Sequence, residues 1–241
     1  MRMRKKRRGG ERLSQLSALF AEGKEYKTAF DCERPLRIEI GCGKGDFVCQ
    51  LSKAEPDYNY IAMERVDDVI VVAAEKYATS RDLGCLDSHG GWKAPDGTIY
   101  DGERWDIPVE MRGNVRFMNC DASNLCEIFD EESLDTVYAN FSDPWTKNGY
   151  ANRRLTHPDF LKRYLKILKS GGYFRFKTDN VELFDFSLES VENEPGFELT
   201  FVSRDLHASE LAQSNVQTEY EKNFSAKGFK INRLEGYKAK I

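Results

Sequence analysis

Histidine is scarce in this chain of 241 residues. His89, His157 and His207 are the three present, and none is spaced from another, or from a cysteine, as zinc ligands are. The sequence therefore predicts no catalytic metal. The six cysteines, Cys32, Cys42, Cys49, Cys85, Cys120 and Cys126, contain no C-x-x-C pair. No secretory leader and no apolar run of membrane length is evident, so the expected home is a reducing cytoplasm with no membrane partner. A Pro- or Ser-rich linker is missing too. The length then suits one sizeable domain with extensions, read here as a basic, flexible arm over residues 1–12 and a single domain over 13–241.

What is present begins with glycine. Residues 38–45 read I-E-I-G-C-G-K-G, a β-branched stretch running into Gly41, Gly43 and Gly45 on alternate positions. Glycines there permit a tight turn with φ > 0 and close approach of a ligand to bare backbone. A dinucleotide fingerprint would carry Gly or Ala at the next motif position, with the pyrophosphate on the helix N-terminus. Position 46 is an aspartate, which would repel those phosphates. A P-loop fails as well, because Lys44 is followed by Gly45 and not by Ser or Thr. The loop suits a phosphate-free nucleoside carrying positive charge. S-adenosylmethionine has ammonium and sulfonium cations, and Glu39 lies beside the loop. An ordinary glycine turn remains the competing reading.

Downstream spacing shifts that balance. Phe47, Val48 and Leu51 have helical spacing, Pro56 breaks the helix, and residues 58–63 form a second strand ending at Glu64. Glu64 is 19 residues beyond Gly45, about where an acidic residue meets ribose hydroxyls in a Rossmann-like unit. The agreement in register favours that role over a solvated helix start, which Asp67 and Asp68 would also fit.

The net charge of −4 hides a division. Residues 1–12 hold Arg2, Arg4, Lys5, Lys6, Arg7, Arg8 and Arg12 against Glu11, so the arm carries +6 and the remainder −10. Such an arm is either a phosphate-binding element strengthened by counterion release or a solvated tail.

Beyond a helix over 70–78, residues 81–114 lose periodicity and read as an insertion with a Pro95-Asp96-Gly97 turn. Strands are predicted at 115–118, 134–140 and 173–177, a helix at 160–168 and a turn at Gly171-Gly172. A terminal antiparallel pair is predicted at 197–202 and 229–234. The alternation implies an α/β fold with a mostly parallel, doubly wound sheet and ligands at the strand C-terminal ends. Glu39, Glu64, Asp121, Asp143 and Asp179 all fall at or near such ends. That many carboxylates on one edge are costly unless they meet cations or hydrogen-bond donors. Asp121 suits either the adenine amino group or an N-cap ahead of Ala122-Ser123.

Residues 141–147 read F-S-D-P-W-T-K and lead into N-G-Y-A-N-R-R-L. Trp145 offers a stacking face, Asp143 a double acceptor for a base edge, and Lys147, Arg153 and Arg154 a path for phosphates. An Asp-Pro turn with an anchoring Trp is the alternative. Added to F-K-T-D-N at 176–180, T-E-Y-E at 218–221 and the glycine loop with Met63-Glu64, this segment resembles the bacterial tRNA (guanine-N7)-methyltransferase family over most of residues 36–234.

The resemblance implies a Rossmann-like class I methyltransferase fold and methylation of guanine 46 in the variable loop of tRNA. It implies that Glu39, Gly41, Gly43, Gly45, Glu64 and Asp121 hold S-adenosylmethionine and that Asp143 is the active-site carboxylate. Lys147, Asp179, Thr218 and Glu221 would meet the substrate tRNA. Three positions depart from the family pattern. Thr146 replaces a second proline, Asn148-Gly149-Tyr150 replaces a more basic stretch, and the insertion at 81–114 is longer than usual. Two other classes fit parts of the pattern: an amino-group methyltransferase acting on adenine or glutamine, whose second loop proline is missing here, and a non-catalytic RNA-binding protein, which would not need Glu39 and Glu64.

Overall fold

The computed structural model describes residues 8–239, so Arg2, Arg4, Lys5, Lys6 and Arg7 of the basic arm lie outside the described residues. The chain runs α1 (Gly9–Gln15), β1 (Leu36–Ile40), α2 (Asp46–Ala54), β2 (Asn59–Glu64), α3 (Asp67–Ser80) and three two-residue strands, β3 (Cys85–Leu86), β4 (Trp92–Lys93) and β5 (Ile99–Tyr100). It continues through β6 (Val115–Asn119), α4 (Leu125–Ile128), β7 (Leu134–Asn140), α5 (Pro158–Ile167), β8 (Leu168–Thr178), α6 (Val181–Glu192), β9 (Phe197–Ser203), α7 (Glu219–Ser225) and β10 (Asn232–Lys238). The main sheet has the order β6-β2-β1-β7-β8-β10-β9, and β3-β4-β5 form a small sheet of their own. The predicted α/β architecture holds, with parallel pairing of β2 with β6, β1 with β7 and β7 with β8, and antiparallel pairing of β10 with both β8 and β9.

Two compact units divide the chain. One comprises the residues up to Pro35 together with Gly41–Ala122, the other Leu36–Ile40 with Ser123–Ile241. In the first unit, Ile61, Ala62 and Met63 of β2 and Val115 and Phe117 of β6 are all buried, as strands covered on both faces require. Residues 81–114 are not a loop. Trp92 is fully buried and donates its indole N–H to Leu83 O at 2.8 Å, and Trp105 stacks on Tyr100. Strands of two residues leave no alternation to read, which is why the sequence pattern was silent there.

Helix α1 docks on this insertion and on α3. The buried Gln15 donates to Gly90 O at 3.3 Å and accepts at its own carbonyl from Trp105 N–H, while Arg12 forms a two-pronged ion pair with Glu75 at 2.7 and 2.6 Å. Arg8 bonds to the carboxylates of Glu11 and Asp101 and donates to His89 O. Both described cations at the end of the basic segment are thus spent on the protein's own acids.

In the second unit all five residues of β1 are buried. Its one cation is matched: Arg37 Nε lies 2.7 Å from Asp135 Oδ1 and Nη1 donates to Tyr138 Oη. Strand β7 occupies the predicted 134–140. Strand β8 starts at Leu168, five residues before the predicted strand. Gly171 and Gly172 lie within an irregular stretch of its pairing with β7, between Leu168 opposite Leu134 and Tyr173 opposite Thr136, and not in a turn between elements. Strand β10 starts at Asn232, three residues later than predicted, because Phe229 N–H bonds back to Phe224 O and closes the end of α7.

Candidate functional site

In the first unit the glycine loop is open on one side and packed on the other. Gly41 (φ 73°) and Gly43 (φ 56°) have left-handed backbones, and a methyl group added at either would meet nothing within 4 Å. At Gly45 the same methyl would come within 2.9 Å of Ala73 Cβ on α3, so only glycine allows that contact. The loop is braced on β2: Gly41 and Cys42 N–H both donate to Met63 O, at 2.8 and 2.9 Å. Glu64 completes the arrangement. Its Oε2 accepts from Gly43 N–H at 3.3 Å and its Oε1 from Arg65 and Val66 N–H at 2.9 and 3.1 Å. One carboxylate oxygen of Glu64 thus lies at the glycine loop and the other on the backbone entering α3. Asp121 is exposed at the end of β6, 3.7 Å from Arg65 Nη1.

In the second unit Glu39 is 4% exposed on β1 and its Oε1 accepts from Asn140 Nδ2 at 3.1 Å. Asn140 ends β7, and the chain then enters F-S-D-P-W. Phe141 (φ 51°) and Trp145 (φ 42°) are both left-handed, a conformation that costs energy for residues with a side chain. Between these two strained positions Asp143 is exposed, and the neighbouring Ser142 Oγ is buried with no hydrogen-bond partner. Such features concentrate where a ligand is expected to complete the set.

The residues that follow divide by role. Lys147 is exposed. Arg153 stacks its guanidinium over Trp145 (5.1 Å) and Tyr150 (4.6 Å), a cationic aromatic face on the surface. Arg154, expected on the phosphate path, instead donates to Pro144 O and Trp145 O at 3.0 and 3.2 Å and lies over Phe186. It holds the loop's bend.

Asp179, just past β8, is half-buried, and its Oδ2 accepts from Tyr220 Oη at 3.4 Å. Burial first, and then the Asp179 charge, raise the Tyr220 phenol above its ordinary value. The Tyr220 ring also meets Phe141 at 5.0 Å and stacks on Phe224 at 4.0 Å. The second unit therefore brings Asp179 and the T-E-Y-E segment against Phe141, the residue that opens the loop carrying Asp143.

Within T-E-Y-E the roles separate. Thr218 is the N-cap of α7, accepting from Glu221 N–H at 2.9 Å. Glu221 has no exposed surface: its Oε2 takes Lys177 Nζ at 2.7 Å and its Oε1 takes Asn215 Nδ2 at 2.6 Å and His207 Nε2 at 2.9 Å. Burial alone would raise this carboxyl, but the Lys177 charge and the donated bonds outweigh it and hold it below the usual carboxylate range. Sequence reasoning missed Lys177, His207 and Asn215. Lys177 stands inside a quoted motif, while nothing marked the other two.

Comparison with known proteins identifies the family. Residues 33–234 match the model of a family described as putative methyltransferases. The tRNA (guanine-N(7)-)-methyltransferase of Listeria welshimeri serovar 6b is 37% identical over 240 residues, covering 98% of this chain and 97% of the relative. The protein of the same name from Bacillus subtilis (strain 168) is 39% identical over 211 residues, covering 88% and 84%. Among solved structures, the 16S rRNA methyltransferase KamB superposes with a TM-score of 0.57 at 11% identity, covering 90% of this chain and 93% of that one, a likeness of fold alone.

Proposed function

The chain belongs to the tRNA (guanine-N7)-methyltransferase family, and on that premise we propose that it methylates N7 of guanine 46 in the variable loop of tRNA, in the cytoplasm. The observation that carries the reading is the exposed Asp143, held between the left-handed Phe141 and Trp145 on a loop whose Phe141 packs on Tyr220, the residue that donates to Asp179.

The cofactor is S-adenosylmethionine, which supplies an electrophilic methyl group on a sulfonium. The residues present fit it. In the first unit Gly41 and Gly43 leave backbone bare, Gly45 packs on α3, Glu64 turns one oxygen toward that loop and Asp121 is exposed at the end of β6; in the second, Glu39 is a buried carboxylate suited to a cation. No phosphate-binding feature competes in this loop.

The reaction asks little proton chemistry of the protein. Guanine N7 carries an exposed lone pair, so no base must first remove a proton and no catalytic histidine or cysteine is required. The protein's task is alignment and stabilisation of the positive charge that develops on the purine. Asp143 does both by accepting from the guanine N1 and N2 hydrogens, and Asp179 shares that work. Lys147, and Arg153 lying over the edge-to-face pair Trp145 and Tyr150, offer charge and aromatic surface to the RNA. Thr218 and Glu221 serve the substrate side by holding the segment that carries Tyr220.

Incubation with methyl-labelled S-adenosylmethionine and unmodified tRNA, followed by nucleoside analysis and position mapping, tests the proposal. Label is expected in 7-methylguanosine at position 46. Label on an exocyclic amino group, or at another guanine alone, would overturn it.

A further inference from the structure

Three of the motifs converge on one buried lysine. Lys177, in F-K-T-D-N on β8, has a side chain that is 4% exposed and donates from Nζ to Glu221 Oε2 (2.7 Å), Val216 O (2.9 Å) and Asn215 Oδ1 (3.1 Å). All three hydrogens of the ammonium are used. Its backbone carbonyl accepts from Phe141 N–H at 2.8 Å, the residue that opens F-S-D-P-W. Asp179 follows two residues later in the chain. Burial pulls the Lys177 ammonium below its ordinary value, opposed chiefly by the Glu221 charge.

Glu221 is the other half of the junction. Fully buried, it spends Oε1 on the half-buried Asn215 and the exposed His207, and through these two residues the network reaches the surface. A carboxylate so enclosed has no oxygen facing a ligand. Replacing a buried ion pair by apolar groups of similar size is often neutral for stability, so what this pair contributes is sought in the geometry it holds.

We propose that Lys177 is a positioning residue: through Glu221 and the 215–216 backbone it fixes the T-E-Y-E segment, and through its carbonyl the Asp143 loop, so that Asp143, Asp179 and Tyr220 keep one mutual geometry. Glu221 acts through this junction and not by touching the substrate. The inference rests on the functional reading above for its catalytic consequence, and on geometry alone for its structural one.

The test replaces the pair together, Lys177→Met with Glu221→Leu, which leaves no buried charge unpaired and keeps the variant foldable. Amide hydrogen exchange is followed at residues 141–147 and 215–221, alongside S-adenosylmethionine affinity, kcat and KM for tRNA. Exchange is expected to rise about tenfold or more in both segments. The value of kcat is expected to fall about 100-fold, as for a displacement of roughly 1 Å at the reacting groups, with cofactor affinity little changed. Faster exchange in 215–221 alone with normal kcat would reduce the pair to a local brace and overturn the proposal. Lost turnover with both segments still protected would also overturn it, because Glu221 would then be acting by direct contact. If the wild-type protein does not methylate tRNA, the functional reading fails by itself, and coupled or uncoupled exchange of the two segments still decides the junction.

Discussion

Asp143 shows how far one side chain's role can be argued from its setting. It is exposed between Phe141 and Trp145, whose left-handed backbones the fold maintains at some cost. Asp143→Asn keeps the size but presents a donor to the guanine hydrogens and removes a charge near the developing cation. Expected are a fall in kcat of roughly 100-fold or more and unchanged cofactor binding, measured by single-turnover methylation and calorimetry. Normal turnover would make Asp143 a turn residue. For Glu64→Gln, cofactor affinity is expected to drop by roughly 1 to 3 kcal/mol, since the charge-assisted bonds to ribose weaken; equal affinity would remove it from the site. The place of Glu64, at the end of β2 beside the glycine loop, was legible because a spacing from the glycines marks it. Lys177 was not: a lysine and a glutamate 44 residues apart become a buried pair only through the pairing of β8 with β10 and the docking of α7, which no local pattern records.

Elements differ in how well local pattern reveals them. Strand β7 matched its predicted limits because a run of apolar and β-branched residues is bounded by turn residues on both sides. Strand β10 was displaced because closure of α7 claims Phe229, and β3, β4 and β5 were invisible because two residues carry no period. Helix α7 makes a pH-dependent contribution whose sign follows from Glu221. Its folded value is depressed below the ordinary 4.5, so the stabilisation is complete above that value and is lost as pH falls through the lower folded one. Thermal unfolding between pH 7 and pH 3 should show wild type losing stability in this acid window. Glu221→Gln should begin roughly 3 kcal/mol or more less stable at neutral pH and vary less there. Parallel pH profiles for the two proteins would refute the assignment.

The whole molecule is acidic with a basic beginning, and the structure refines what that division means. Arg8 and Arg12 are bound to Glu11, Asp101 and Glu75, which leaves Arg2, Arg4, Lys5, Lys6 and Arg7 as the candidates for phosphate contact. Deleting residues 2–7 should raise KM for tRNA and flatten its salt dependence while cofactor affinity stays level. An unchanged salt slope would assign the arm no part in RNA binding. Among the described residues no helix is long and apolar enough to cross a membrane.

The path of the chain between its two units also bears on how the protein is made. Five residues, Leu36–Ile40, belong with Ser123–Ile241, although the chain on either side of them belongs to the other unit. On a ribosome, β1 emerges early but cannot pair with β7, its partner from Leu36 opposite Leu134 onward, until almost a hundred further residues have been added. Its apolar side chains must wait through that interval without the strand that covers one edge. Cutting the gene after codon 122 would not yield two self-sufficient halves, since the later fragment would lack the strand that borders β7. Residues 123–241 expressed alone should aggregate, and supplying Leu36–Ile40 through a short linker should restore solubility.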